Sequence, residues 1–219
     1  KIIVIDDASE GDFNEKIVNE YQYINYSKSP VRLGIAKSKN ACLRYIKDCD
    51  FIFLFDDDCF PIVEDWWEFF ILHSILTKQN HFLFLKEGIV GRANLKKIKT
   101  KNNIEVYNNC MGMFMFLTKE VINRVGGFNE KYGIYGYEHA SYTQRIFESG
   151  LNTYGKYISI KDTKQVLCSL DIDSDKILEY GLKEFDCSMK DEKENISKYV
   201  EENSRIFNEG LDREILYPL

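Results

Sequence analysis

Phe51-Ile52-Phe53-Leu54-Phe55-Asp56-Asp57-Asp58 decides how the chain is read. Five apolar residues run, without polar alternation, straight into three carboxylates. That pattern predicts a strand buried on both faces, in a sheet covered by helices. The aspartates then fall where the strand leaves the sheet, which is where open α/β sheets bind ligands. Three adjacent carboxylates repel one another unless a positive charge neutralises them. A hard divalent cation does this with oxygen ligands and fills its other positions with water or phosphate. A solvated acidic turn after a core strand explains the same residues, and the stretch alone does not separate the two readings.

The 219 residues, 44% hydrophobic and 29% charged, suit one α/β domain with a modest appendage. Charge density rises from Asp173 on, and 1–170 is the expected domain with 171–219 a helical extension. A net charge of −6 and a pI near 5.3 exclude nucleic acid as the main partner. No stretch is long and apolar enough to cross a bilayer. The six cysteines, at 42, 49, 59, 110, 168 and 187, show no CxxC and no zinc spacing. Reduced thiols and a cytoplasmic location are expected from them, compatible with a peripheral place at the inner face of a membrane.

Lys1–Ile5 reads as a short buried strand ended by Asp6-Asp7-Ala8-Ser9, most simply a capped turn before a helix over Asn14–Tyr21. Tyr23–Tyr26 reads as another strand. Gly34–Lys47 reads as a helix, with Ile35, Ala36, Cys42, Leu43, Tyr45 and Ile46 on one face at 100° per residue. Lys39 falls in the middle of that face. It either snorkels out of the core or meets an anion, because a buried cation needs a partner. Pro61 suits the first turn of a helix over Ile62–Thr77, whose Trp66, Trp67, Phe69 and Phe70 read as core.

Phe82–Leu85 and Gly88–Val90 suggest strands, and Lys96, Lys97, Lys99 and Lys101 a solvated basic loop. Met111–Leu117 is apolar and strand-like. Thr118 can cap a short helix that stops at Gly126-Gly127. Glu138 and His139 open a further helix that ends at Ser149-Gly150. Glu138 there suits the helix dipole, and a capping glutamate beside a core-facing histidine is the simpler reading of that segment alone. Lys156–Ile160 and Gln165–Leu170 suggest strands. Two helices are expected near 174–186 and 190–208.

Five weak motifs occur in one order. Ile3-Val4-Ile5-Asp6-Asp7-Ala8-Ser9, Leu33-Gly34-Ile35-Ala36-Lys37-Ser38-Lys39-Asn40, Leu54-Phe55-Asp56-Asp57-Asp58, Gly126-Gly127-Phe128-Asn129-Glu130 and Gly136-Tyr137-Glu138-His139, the last followed by Arg145 and Gly150, together resemble GT-A fold glycosyltransferases of the family 2 type. The resemblance covers roughly residues 1–165 and leaves the tail out. It implies a Rossmann-like mixed central sheet flanked by helices and a nucleotide-diphosphate sugar donor, a UDP-sugar first. It also implies a glycan or lipid-linked glycan acceptor, as in surface polysaccharide synthesis. Asp6 or Asp7 would contact the base, Asp56 the ribose with Asp57 beside it, and Lys39 the phosphates. Asp58, with Asp56, would hold Mn²⁺ or Mg²⁺, a Lewis acid for the departing nucleoside diphosphate.

Three departures qualify this. The family begins one strand and one helix earlier, so a central strand between Ile2–Ile5 and Phe51–Phe55 is expected to be missing from this chain, which opens at Lys1 without Met. His139 replaces the aspartate that serves inverting members as base. Either Glu138 or His139 can then take the acceptor's proton, and a retaining route stays open. No histidine follows His139 to complete a metal site, which leaves Asp171, Asp173 or water. A non-catalytic nucleotide-sugar or carbohydrate binder on the same fold is the competing class. A glycoside hydrolase would need paired carboxylates but not the Asp6-Asp7 and Lys39 features. A nucleotidyltransferase would usually open with a glycine-rich phosphate loop, which is missing.

Overall fold

A computed structural model describes residues 1–11, 13–90, 93–170, 193–210, 214 and 216–219. The chain opens with β1 (Ile2–Asp6), α1 (Phe13–Val18), β2 (Ile24–Lys28), α2 (Ile35–Ile46) and β3 (Phe51–Phe55). Then come β4 (Cys59–Pro61), α3 (Trp66–Thr77), β5 (His81–Leu83), β6 (Gly88–Val90) and β7 (Ala93–Leu95). β8 (Lys97–Lys101), β9 (Ile104–Tyr107), β10 (Phe114–Thr118), α4 (Lys119–Val125) and α5 (Glu138–Glu148) follow. β11 (Tyr157–Ile160), β12 (Leu167–Ser169) and α6 (Lys193–Asn208) complete the described elements.

A six-stranded mixed sheet in the order β3-β10-β5-β11-β9-β8 carries the core. β10 is antiparallel to both β3 and β5, and β11 runs parallel to β5 and antiparallel to β9. Phe114, Met115, Phe116 and Leu117 of β10 are wholly buried, as a strand covered on both faces must be. Each such side chain contributes about 1.5–3 kcal/mol through burial. Helix α3 covers one face: Phe53 meets Trp66 edge-on at 4.8 Å, and Phe70 lies 4.7 Å from Phe114. Trp67, expected in the core, is exposed.

β1 and β2 form a separate parallel pair. β3 stands at one end of the six-stranded sheet, and β1 and β3 are not paired with each other. Among the described residues each has one edge without a strand.

Several boundaries depart from the sequence reading for local reasons. Pro61 lies in β4, paired with Leu167, and α3 begins only at Trp66 after Asp65 adopts a left-handed conformation (φ 53°). The lysine-rich segment is a strand. Asn102 and Asn103 both take positive φ (49° and 62°), the turn that joins two strands with a two-residue loop, and so β8 folds back on β9. Thr118 stands at the cap position of α4, but its hydroxyl donates to Asn80 Oδ1 at 2.8 Å rather than capping. In α2 the buried stripe is Ala36, Lys39, Asn40 and Leu43, so Tyr45 is 53% exposed and two polar residues face inward.

His81 is one of several further polar residues buried in the core. Its Nδ1 meets the Phe116 carbonyl at 2.8 Å and its Nε2 the Thr143 hydroxyl at 3.1 Å. Burial pushes this imidazole down to about 4. Of the two expected tail helices, α6 realises the one near 190–208. The 174–186 segment, Asp171, Asp173 and Cys187 lie outside the described residues.

Candidate active site

Two strand ends carry the acidic motifs, and they are used differently. At the end of β1, Asp6 accepts the Ser9 N–H at 2.7 Å and the Tyr26 hydroxyl at 2.7 Å. Asp7 accepts the N–H groups of Leu33 at 2.5 Å and Gly34 at 2.9 Å. These are the residues just before α2, so Asp7 orders the approach to the helix that carries Lys39.

At the end of β3, Asp56 is bonded through its backbone N–H to the Met113 carbonyl at 2.9 Å, and the Asp58 carbonyl accepts from Leu170 N–H at 2.9 Å. The acidic turn is thus held between β10 and β12. Asp57 at its tip is exposed. Asp56 Oδ1 lies 2.7 Å from Lys39 Nζ.

Lys39 is 6% exposed and does not snorkel. Besides Asp56, its ammonium donates to the Gly112 carbonyl at 2.8 Å and meets His139 Nε2 at 2.7 Å. An ammonium has three N–H bonds and no lone pair, so these three acceptors match its capacity. His139 Nε2 is therefore the acceptor, which leaves the proton on Nδ1, 2.7 Å from Glu138 Oε1. The result is a continuous line, Asp56–Lys39–His139–Glu138, largely buried from Lys39 inward and joining the end of β3, α2 and the start of α5. The His139 ring fills the space where a Cβ on Gly112 would sit, with ring atoms 2.0 Å from that point. Only glycine fits there.

Burial alone would raise the Glu138 carboxyl. The neighbouring His139 ring with its hydrogen bond, the group's own backbone N–H and the charge of Lys39 outweigh it and hold the group below its ordinary value. Glu138 is 3% exposed, and its second oxygen has no hydrogen-bond partner among the described residues.

The sequence motifs contain the residues that brace this line but assign them no role. Asn40 pairs with the backbone of Phe128, donating to its carbonyl at 3.0 Å and accepting its N–H at 2.7 Å, and also donates to Glu130 Oε1 at 3.0 Å. Gly126-Gly127-Phe128-Asn129-Glu130 is thereby latched to α2. Arg145 is buried and donates to the carbonyls of Val125 at 3.1 Å and Gly127 at 2.7 Å, so it supports the same loop from α5. An asparagine one residue after a buried lysine was the available signal for Asn40.

The carboxylate turn fits a hard cation as part of its shell. Asp56 and Asp58 supply oxygens from one turn at a strand end, and such cations take waters and substrate phosphates for the rest. Among the described residues no three His, Cys, Asp or Glu side chains converge as a complete set.

Residues 1–72 match the glycosyl transferase family 2 model, and residues 93–166 match the model described as the N-terminal domain of galactosyltransferase. An uncharacterised glycosyltransferase of Acanthamoeba polyphaga mimivirus is 30% identical over 161 residues, 69% of this chain and 60% of that protein. The chain thus spans 60% of the length of the curated relative it matches. Among solved structures, a mannosyltransferase of Pyrobaculum calidifontis in complex with GDP-Man and Mn²⁺ aligns with a TM-score of 0.54 at 15% identity, over 74% of this chain and 46% of that one. GalNAc-T7 with UDP, GalNAc and Mn²⁺ gives 0.53 at 13% identity, over 73% and 36%. TarS 1–349 of S. aureus with UDP gives 0.51 at 15% identity, over 68% and 46%. The mixed sheet flanked by helices is the GT-A architecture, and the chain belongs to the GT-A glycosyltransferases of the family 2-like type.

Proposed function

We propose that the chain transfers a sugar from a nucleoside-diphosphate donor, a UDP-sugar first, to a hydroxyl of a glycan or lipid-linked glycan, with inversion. The observation that carries this reading is the Asp56–Lys39–His139–Glu138 line at the end of β3. It sets a strand-end carboxylate, a cation and an imidazole–carboxylate pair side by side. The donor would lie across the strand ends, with Asp6 and Asp7 at the base end and Asp56 and Asp57 toward the ribose. Asp58, with Asp56, would hold Mn²⁺, the ion named with two of the similar solved structures, or Mg²⁺. When bound, that ion supplies Lewis-acid stabilisation of the leaving diphosphate.

The chain's own part is the proton. Without donor, Lys39 occupies the His139 Nε2 lone pair. A diphosphate competes for the ammonium and frees that nitrogen. Nε2 then takes the acceptor hydroxyl's proton as the new bond to the anomeric carbon forms, and the nucleoside diphosphate leaves with the electron pair of the broken bond. Glu138 holds Nδ1–H and stabilises the imidazolium, as a carboxylate behind a histidine does in other enzymes. Free thiols at all five described cysteines support a cytoplasmic place of work, at the inner face of a membrane if the acceptor is lipid-linked.

Full occupation of Lys39 and His139 by each other also favours a second reading, a nucleotide-sugar binder that has lost its base. A panel of nucleotide sugars incubated with Mn²⁺, with released nucleoside diphosphate measured by chromatography, separates the two. Release that depends on one donor is the expected result. Donor binding without release over many hours would leave only the binder. Asp58→Ala should lower release about a hundredfold or more, on the order of one lost electrostatic contact to the leaving group. Full release with the variant and with EDTA would remove the metal from the reading.

A further inference from the structure

The tail is expected to be a helical appendage, and its described helix reaches the residues that present Glu138 and His139. Asn203 of α6 is 4% exposed. Its side-chain NH₂ faces the carbonyls of Tyr132 at 2.6 Å, Tyr135 at 2.9 Å and Gly136 at 3.0 Å, so one of its two N–H bonds is shared between two of them. Three backbone carbonyls converge on one NH₂ group. Without it their like partial charges would face one another in a buried space, which is unfavourable.

The turn so gripped is a strained one. Gly133, Gly136 and Tyr137 have φ of +63°, +101° and +69°. Tyr137 is a non-glycine residue in the left-handed region, and it immediately precedes Glu138. Such conformations persist only where their surroundings over-determine them. Two more contacts from α6 do so: Val200 lies against Gly136, and the Phe207 ring packs on Tyr137 with centroids 5.4 Å apart. The same turn also receives the start of α2. Ile35 N–H donates to the Ile134 carbonyl at 3.2 Å, and a Cβ on Gly34 would meet the Gly133 oxygen at 2.4 Å. The turn therefore sets the start of α5, with Glu138 and His139, against the first turns of α2, with Lys39. Helix α6 holds that same turn through Val200, Asn203 and Phe207.

We propose that Asn203 is a positioning residue of the active site, and that α6 belongs to the catalytic unit by fixing the Tyr132–Tyr137 turn. The catalytic consequence rests on the reading of Glu138 and His139 given above; the geometric one does not. The test uses the whole chain with Asn203→Asp, which keeps the shape and replaces the donors with acceptors. Amide exchange at residues 133–140 should quicken at least tenfold, with the amides of β10 and β11 unchanged. The nitrogen-15 signals of the His139 ring should move away from the Nδ1–H tautomer. With a donor found, kcat should fall roughly a hundredfold, the cost of a misplacement near 1 Å, and the donor KM should stay within about twofold.

Unchanged exchange and an unchanged imidazole signature would overturn the proposal, whatever the activity. So would uniformly faster exchange with normal kcat in the folded fraction, the mark of a merely structural residue. If no donor is ever turned over, the exchange and imidazole results still decide the positioning claim, and only the transferase reading fails. If Asn203→Asp does not fold, Val200→Ala and Phe207→Leu loosen the same grip without burying a charge. They must show the same local exchange, smaller in size, or the proposal falls.

Discussion

Two histidines separate the core of this molecule from its site. His139 stands in the first turn of α5 and His81 packs against that helix, and both ring nitrogens of each are hydrogen-bonded. The partners of His81 are a carbonyl and a hydroxyl, both neutral. Those of His139 are an ammonium and a carboxylate. His81 contacts Thr143, one helical turn beyond His139, so a few ångströms of the same helix separate the two settings. Burial therefore does not decide what an imidazole can do. A neutral shell offers no charge to accompany a proton, and burial simply keeps His81 uncharged. A shell with a carboxylate on one side and a displaceable cation on the other can take up a proton and stabilise the result.

The largest effect expected from this contrast is catalytic. His139→Gln keeps a polar side chain but removes the basic nitrogen. Transfer should fall by about 10²–10⁴, the usual contribution of a general base, with nucleoside-diphosphate affinity retained by calorimetry. Transfer within tenfold of the natural chain would erase the distinction between the two imidazoles.

This contrast was only half legible in the sequence. His139 drew attention because it follows Glu138 at a helix start, whereas His81 gave no signal. The strand of five apolar residues before Asp56 was legible because its hydrophobic run is local. So was the helix from Glu138, ended near Gly150. The two acidic strand ends look alike as letters, and only contacts distant in sequence distinguish them. Asp7 answers N–H groups of Leu33 and Gly34, while Asp56 answers Lys39. Lys39 and His139 are 100 residues apart, and no local pattern announces their contact. The same holds for Asn40 against Phe128 and for Asn203 against Gly136. The lysine hairpin was missed for a different reason: its two-asparagine turn is a local signal, outweighed by the charge around it.

A second, smaller effect concerns stability against pH. The native His81 imidazole sits near 4, and an unfolded histidine near 6.5. Between those values the unfolded chain binds a proton that the native chain does not. The contribution of His81 is thus fully present above about pH 6.5 and is lost as pH falls toward 4. At about 1.4 kcal/mol per unit the loss sums to about 3 kcal/mol. Urea denaturation at pH 7, 6 and 5 should show stability falling more steeply for the natural chain than for His81→Gln, since carboxylates titrate alike in both. Parallel pH profiles would place the native imidazole near its ordinary value and undo the neutral-shell account.

The smallest effect is the most discriminating, because it removes the cation that makes the two imidazole settings differ. Lys39→Met keeps much of the buried stem and deletes the ammonium. Removing one partner of a fully buried ion pair costs about 3–5 kcal/mol, because the other charge is stranded. Here Lys39 is buried, but the side chain of Asp56 is 31% exposed and can recover water. The Gly112 carbonyl and His139 Nε2 lose a donor but carry no net charge. Methionine offsets part of the loss by burying an apolar stem without a charge to desolvate. A net cost of about 1–2 kcal/mol is expected, read as a lower midpoint in chemical denaturation. If Lys39 also meets the donor's phosphates, nucleoside-diphosphate affinity should fall in the same variant even where it is fully folded. The His139 ring should then lose its bias toward the Nδ1–H tautomer, and nitrogen-15 spectra report this directly. A variant as stable as the natural chain, with normal affinity and an unchanged ring signature, would mean that the ammonium does not hold the line together. His139 would then differ from His81 only in having Glu138 beside it.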